Sequence, residues 1–381
     1  MRNYIIKRVL LAIITVYGVA TLVFVLMRIV PGDPALVALA DPGREGRVSE
    51  ELVRDMRVQL GFIRLKVIPD EEALKADFGD EYTQIIQAIH DVDPRILRSR
   101  KRGDQDLRLE GYLLDPKYIL IGERDVNIFE QYAEWIWDSF RLEFGESIKV
   151  GRPVRDEWLR RFPMTLNIVV LSGIITIFTA VPMGVISAIR QDRPVDYVSR
   201  VIAIAGLSMP SFWVAMLLIL VLVTQFEWLP PLEYVPIWEN PVRSLTQSIF
   251  PAIAVGFAQI GLIARMTRSS LLEVLREDYV RTALAKGLRE RVVVQRHALK
   301  NAFLPVLTIF GLQLGFSIGG IVVVETVFNL PGLGLFLVES VVFRDYPAIQ
   351  ATLFATAIFV TAANLIVDLL YGWLNPRVRF Q

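Results

Sequence analysis

The sequence offers few residues that could carry covalent or acid–base chemistry, and their spacing does not assemble them. It has no cysteine, so thiolate nucleophiles, disulfides and cysteine-held metals are excluded. It has two histidines, His90 and His297, far apart in sequence. No His-Glu-x-x-His or comparable cluster is present, and no Gly-rich phosphate loop ends in Gly-Lys-Ser/Thr. A serine protease of the membrane would need its nucleophile and base together within the bilayer, and the expected topology puts the two histidines on opposite sides. Charged residues inside apolar runs are functional candidates by default. Here they reduce to Glu325, near one end of a run, and Asp368, near the end of another, and both are expected to be interfacial and hydrated.

The richest stretch of functional groups is a basic loop. Asp278-Tyr279-Val-Arg281-Thr282-Ala283-Leu-Ala285-Lys286 has helical composition, and Gly287 stands where a left-handed residue would end a helix. A second helical stretch is predicted over Arg291–Phe303, containing His297 and Asn301, with Pro305 opening the next apolar run. A short helix, a glycine turn and a second helix, all basic, suit the groove of a partner better than an active site. His297, with no second histidine or cysteine beside it, reads as an interface or structural residue. Arg281, Lys286, Arg289, Arg291 and Arg296 either pair with acidic groups of that partner or simply set topology.

The elements that would position this loop are apolar. Of 381 residues 53% are hydrophobic and 21% charged, with the two kinds segregated, mean hydropathy +0.44 and net charge +1. That balance gives no electrostatic pull toward nucleic acid. Six spans are predicted: Val9–Val30, Leu166–Ile189, Val201–Phe226, Ile249–Ala264, Leu304–Phe328 and Ile349–Tyr371. The first is too long for a cleavable signal and is expected to stay as a helix. The fourth is short, with Pro251 and Gln259 inside it, and Pro210 is expected to kink the third. Basic residues crowd the 190s loop, the 265–303 loop and the C-terminus, whereas Glu227–Thr246 has three Glu and one Arg. The positive-inside rule therefore predicts that both termini and the basic loop are cytoplasmic.

The chain divides into a first span over 1–34, an extracytoplasmic region over 35–163, and a five-helix core over 164–381 with the basic loop at 276–303. A helix is expected at Ser49–Phe62. A charged insertion over 63–125 is expected to hold mixed short helices and turns, and an amphipathic stretch, Phe129–Phe144, to lie on the membrane surface or pack on the outer helix ends.

These residues also carry a resemblance. Asp278-Tyr-Val-Arg-Thr-Ala with Ala285-Lys-Gly-Leu, then His297-Ala-Leu-Lys-Asn-Ala-Phe-Leu-Pro305, is similar to the coupling loop of permeases of ATP-binding-cassette importers, in the dipeptide/oligopeptide/nickel branch. Pro31-Gly-Asp-Pro34, Ala264–Asp278, Thr326–Gly334, Arg344-Asp-Tyr-Pro347, Asn364–Asp368 and Asn375-Pro-Arg377 match in order. Leu284 and Asn375 depart from the branch's usual Arg and Asp, and the 63–125 insertion departs most. The resemblance implies an all-α polytopic fold in the inner membrane of a bacterium or archaeon. It further implies a second related permease, two ATPase subunits carrying ATP and Mg²⁺, and an external solute-binding protein, with the lipid bilayer around the spans and no cofactor in this chain. Asp278, Tyr279, Arg281, Thr282, Ala283, Ala285, Lys286, Gly287, His297 and Asn301 would face the ATPase. Pro331, Gly332, Gly334 and Pro210 are candidates for a gate or pathway. The competing reading is an ion-gradient-driven transporter or channel subunit, against which stand the scarcity of central charges and the lack of a visible repeat.

Overall fold

The computed structural model describes residues 2–29, 34–39, 49–90, 92, 107–109, 112–114, 119–230 and 234–374. Pro31-Gly32-Asp33, the basic cluster Arg98–Arg102 and Asn375-Pro376-Arg377 lie outside the described residues. Two compact units emerge, one of residues 1–29 and 141–381, the other of residues 30–140.

In the smaller unit, α1 having ended at Ile29, come α2 (Pro34–Leu39), α3 (Glu50–Gln59), α4 (Glu71–Phe78) and α5 (Tyr82–His90). Ser49 caps α3 by accepting from the Leu52 amide at 3.3 Å, the arrangement an N-terminal hydroxyl favours. The expected mixture of helices and turns is incomplete here: β1 (Ile63–Pro69) pairs antiparallel with β4 (Ile119–Asp125), and β2 (Leu107–Leu109) with β3 (Tyr112–Leu114). Ile63, Leu65 and Val67 alternate with Arg64, Lys66 and Ile68, a period of two that charge density hides in a composition reading. Leu74, Ile85, Ile89 and Ile119 form a core of their own, packed by Phe78 and Tyr82. Arg64 and Arg124 pair with Glu130 at 3.1 and 2.5 Å, tying the strands to α6 (Ile128–Arg141). The α6 helix leaves Phe129, Trp137 and Phe140 more than half exposed.

The larger unit holds the membrane helices: α1 (Arg2–Ile29), α7 (Val154–Ile189), α8 (Pro194–Ser208), α9 (Ser211–Phe226), α10 (Pro241–Leu275), α11 (Asp278–Ala285), α12 (Glu290–Phe328), α13 (Leu333–Val342) and α14 (Tyr346–Leu374). Five of them, α1, α7, α10, α12 and α14, are long and apolar enough to cross alone. The third predicted span is broken: α8 and α9 meet at 106° around Met209-Pro210. Pro210 cannot donate to the preceding turn, so it begins a new helix rather than kinking an old one. The pair still makes one crossing. Asn167 of α7 reaches Ser244 and Ser248 of α10, and Gly184 of α7 meets Ala264 and Thr267, so α7 and α10 run parallel. Chain between parallel neighbours must return, and α8–α9 is the return.

The fourth span is not short. α10 has 35 residues with Pro251 inside it, and its charged last third stays helical because it packs, not because it is apolar. Leu271 is fully buried beside Ala188, Val294, Ala298 and Ala302. Pro305 also lies inside a helix, not at a start: the predicted second stretch of the basic loop is continuous with the fifth span, through a π-helical turn at Val293–Ala298. In a membrane span the carbonyl that a proline leaves free is tolerated when packed neighbours fix the helix, and Ala302 and Val306 on either side are both buried.

Helix contact depends on absent side chains. Apolar lipid gives little drive for apolar helices to associate, so close van der Waals approach must supply it. A β-carbon at Gly261 would stand 2.3 Å from the carbonyl oxygen of Ala203, and one at Gly206 would be 2.7 Å from that of Phe257, so α8 and α10 meet backbone to backbone. On the neighbouring face of α10, Gly256 lies against Ser172 and Thr176 of α7. Gly311 of α12 admits Val367 of α14 in the same way. Along α14, Asp368 takes Arg8 of α1 at 2.8 Å, and Tyr4 donates to its carbonyl at 2.9 Å.

Gly261→Ala is expected to destabilise the purified protein by about 1–3 kcal/mol, because no rotamer can relieve a β-carbon against a backbone oxygen. Gly18→Ala, where a β-carbon meets nothing within 4 Å, is expected to be neutral. Thermal unfolding followed by size-exclusion chromatography in detergent separates the two.

Candidate functional site

Three buried or half-buried constellations organise the larger unit, and the basic loop is the first. After α10, Arg276 and Glu277 turn the chain, and Glu277 caps α11. Asp278 falls in the first turn, where the positive end of the helix favours an anion. At the other end the Leu288 amide donates to the Ala283 carbonyl at 3.4 Å and the Gly287 amide to that of Leu284 at 2.9 Å, the paired bonds of a Schellman cap. Gly287 has φ +81°, with open space where a β-carbon would go. The need for glycine is therefore conformational and not steric.

Two contacts hold α11. Val280 is fully buried beneath it, and the Asn301 amide donates to the Tyr279 hydroxyl at 2.8 Å, joining α11 to the start of α12. His297, half-buried, sits in the π-helical turn. The structure so brings Asp278, Tyr279, Arg281, Thr282, Ala283, Ala285, Lys286 and Gly287 onto one projecting helix, with His297 and Asn301 on its support. Arg281, Leu284, Lys286 and Leu288 are exposed, an apolar pair bracketed by cations. Arg281 lies 3.6 Å from Asp278, but both side chains are mostly solvated and the pair contributes little.

The second constellation escaped the sequence reading, which counted Asp196 only as a loop charge. Asp196 is fully buried at the start of α8. Its carboxylate accepts from Arg268 of α10 at 2.9 and 3.1 Å, from Arg200 at 2.6 Å, from the Asp192 amide at 3.0 Å, and from the Ser187 hydroxyl of α7. One anion thus ties together three helices beside α11. The Asp196–Arg200 spacing of four, behind a helix-starting Pro194, was a legible sign of one of these bonds.

The third constellation corrects the reading of Glu325, which is not hydrated. It is fully buried; the Thr165 hydroxyl donates to it at 2.6 Å, and the Gly334 and Leu335 amides at 2.7 and 3.1 Å. Thr165 in turn accepts from the Leu333 amide at 2.9 Å. The carboxylate so occupies the N-terminus of α13, satisfying donors that the helix cannot. Gly332 and Gly334 fold onto it so closely that a β-carbon at Gly332 would stand 2.1 Å from a carboxylate oxygen. Pro331, Gly332 and Gly334 therefore form a packed turn around Glu325, while Pro210 stands apart at the α8–α9 bend. A parallel device lies nearby: Asp345, 1% exposed, caps α14 through the Ala348 amide at 3.3 Å and accepts from Ser147.

A bundle of this kind, with five helices long and apolar enough to cross a membrane and a short exposed helix between two of them, defines a multi-span membrane protein. The comparisons agree with that class. Residues 180–380 match the family described as the inner membrane component of binding-protein-dependent transport systems, and the chain belongs to it. A protein of Brucella abortus (strain 2308) named as a peptide transport system permease is 33% identical over 381 residues, covering the whole of both chains. The glutathione transport system permease protein GsiC of Escherichia coli (strain K12) is 35% identical over 381 residues, again covering both. This chain is thus a permease subunit of a binding-protein-dependent transporter, and not itself an enzyme.

Asp196→Ala is expected to lower stability by about 3 kcal/mol, since it strands Arg268 and Arg200 rather than merely deleting a contact. Glu325→Gln is expected to cost about 1–3 kcal/mol, because one of its two oxygens becomes an NH₂ facing amide donors or the Thr165 hydroxyl. Chemical or thermal unfolding in detergent measures both. Wild-type stability in either variant would contradict the assigned contact.

Proposed function

We propose that the chain forms half of the solute pathway of an ATP-driven peptide importer and takes its drive from a cytoplasmic ATPase through α11. The observation that carries this reading is α11 itself: a short helix ended by a left-handed glycine, anchored on one face by Val280 and Tyr279, and leaving Arg281, Leu284, Lys286 and Leu288 exposed. Both termini and α11 lie on the cytoplasmic side in this reading, supported by the basic residues around them. ATP and Mg²⁺ belong to two ATPase subunits, since this sequence has no phosphate loop of its own. A second permease completes the pathway, and a solute-binding protein delivers to the opposite side. Peptides are the proposed solute class, supported by the peptide and glutathione permeases among the relatives.

A closing ATPase would push on α11, and Tyr279–Asn301 with the buried Ala298–Ala302 face would pass that displacement into α12. The Asp196 cluster would carry α7, α8 and α10 along with it. At the far end of α12 the displacement meets Glu325 and the α13 turn.

Gly287→Val should leave membrane abundance within about twofold of wild type and cut ATP-dependent peptide uptake at least about tenfold, because a β-branched residue resists φ +81° and unwinds the cap. Uptake in proteoliposomes holding the full transporter, with ATP hydrolysis measured in parallel, is the test. Normal uptake at normal abundance would overturn the docking role. Replacing residues 63–125 by a short Gly-Ser linker should reduce uptake driven by the binding protein while ATPase subunits still co-purify. Unchanged uptake would show that this lobe takes no part in delivery.

A further inference from the structure

The Asp196 cluster borders a cleft of about 400 Å³ between α7, α8 and α10. Its walls are apolar, formed by Met183, Ala203, Ile204, Leu207 and Ala264. Arg200, Arg265, Arg268 and Ser269 line the same cleft and make it cationic. Two of the three guanidiniums are answered by carboxylates: Arg268 and Arg200 share Asp196, and Arg200 also meets Asp192 at 3.2 Å. Arg265 has no partner among the described residues, and the Nε of Arg200 is buried without one.

We infer that this cleft is a binding site for an anionic phospholipid, with the phosphate at Arg265 and an acyl chain along Ile204 and Leu207. Three observations converge on that occupant. The unanswered positive charge calls for an anion, and a guanidinium offers a phosphate two parallel donors. The apolar walls call for hydrocarbon behind that anion, which inorganic phosphate and nucleotides lack. Ile204, which lines the cleft, is itself more than 60% exposed on a membrane helix, so a lipid can enter sideways without crossing water. Arg265 also stands at the junction between the apolar body of α10 and its charged end, the depth at which headgroups lie. Since the cleft shares Arg268 and Ser187 with the buried cluster, an occupied site would brace α7, α8 and α10 where α11 attaches. The inference rests on this cleft alone and is independent of which solute is carried.

The test uses the complete transporter purified in mild detergent and titrated with phosphatidylglycerol or phosphatidylcholine under native mass spectrometry. Phosphatidylglycerol is expected to bind the wild type in preference to phosphatidylcholine. Arg265→Gln should weaken it at least about tenfold, since the charge and the paired donors are both lost, and Arg265→Lys, which keeps the charge without the paired donors, should fall between the two. Ile204→Trp, which fills the apolar trough and leaves the cations in place, should weaken it as well. Equal binding by wild type, Arg265→Gln and Ile204→Trp would overturn the site. Displacement of the lipid by millimolar inorganic phosphate would make it a simple anion site and also overturn it. The chain has no cysteine, so Ile204→Cys gives this subunit a unique thiol. Its reaction with a lipid-soluble maleimide supports an opening on the bilayer, whereas efficient crosslinking to a second permease would show that protein, not lipid, covers the cleft.

Discussion

The architecture depends on how closely α10 can be approached. In hydrocarbon, helices gain little from hiding apolar side chains, so a stable bundle needs backbone-to-backbone contact that lipid cannot imitate. On α10, Gly256 and Gly261 supply it on two faces, against Ser172 and Thr176 of α7 and against Ala203 of α8. With both neighbours seated at that distance, the polar ends of α7, α8 and α10 arrive together, and Ser187, Asp196 and Arg268 fall within hydrogen-bond reach. The buried carboxylate is therefore a consequence of helix spacing as much as a cause of it. A buried charge shared by several donors adds specificity of register more than net stability.

Both ends of the bundle use the same device, a carboxylate buried among donors. At the α11 end Asp196 gathers side chains from α7, α8 and α10; at the other end Glu325 gathers backbone amides of α13 and the Thr165 hydroxyl of α7. Such nodes resist gradual deformation, because moving any partner leaves a buried carboxylate with a hydrogen bond unfilled. A bundle fixed at discrete nodes moves as rigid segments between them. The helix α12 joins the two ends, with α11 beside its first turns and Glu325 near its last.

The smaller unit follows different physics. Its core of Leu74, Ile85, Ile89 and Ile119 is that of a water-soluble lobe, and its strands are tied by exposed arginine–glutamate pairs rather than by buried charge. Among its described residues nothing resembles the small-residue packing of the membrane bundle, as expected for a segment folding where water supplies the hydrophobic drive.

The sequence alone determined the class of protein. Apolar runs of span length, their basic connections and the Asp278–Leu288 pattern are local properties, set by hydropathy, charge and the φ that glycine alone adopts freely, and each is readable residue by residue. What only the tertiary structure decided were the long-range pairings. Asp196 looked like a loop charge because Arg268 lies 72 residues away, and Glu325 looked hydrated because its donors belong to Thr165 and to a turn that folds back upon it. The α10 helix looked short because its charged end stays helical through packing, and β1 was hidden because its partner strand lies more than fifty residues on. Burial is a property of what surrounds a residue, and a single chain read in order shows only its neighbours in sequence.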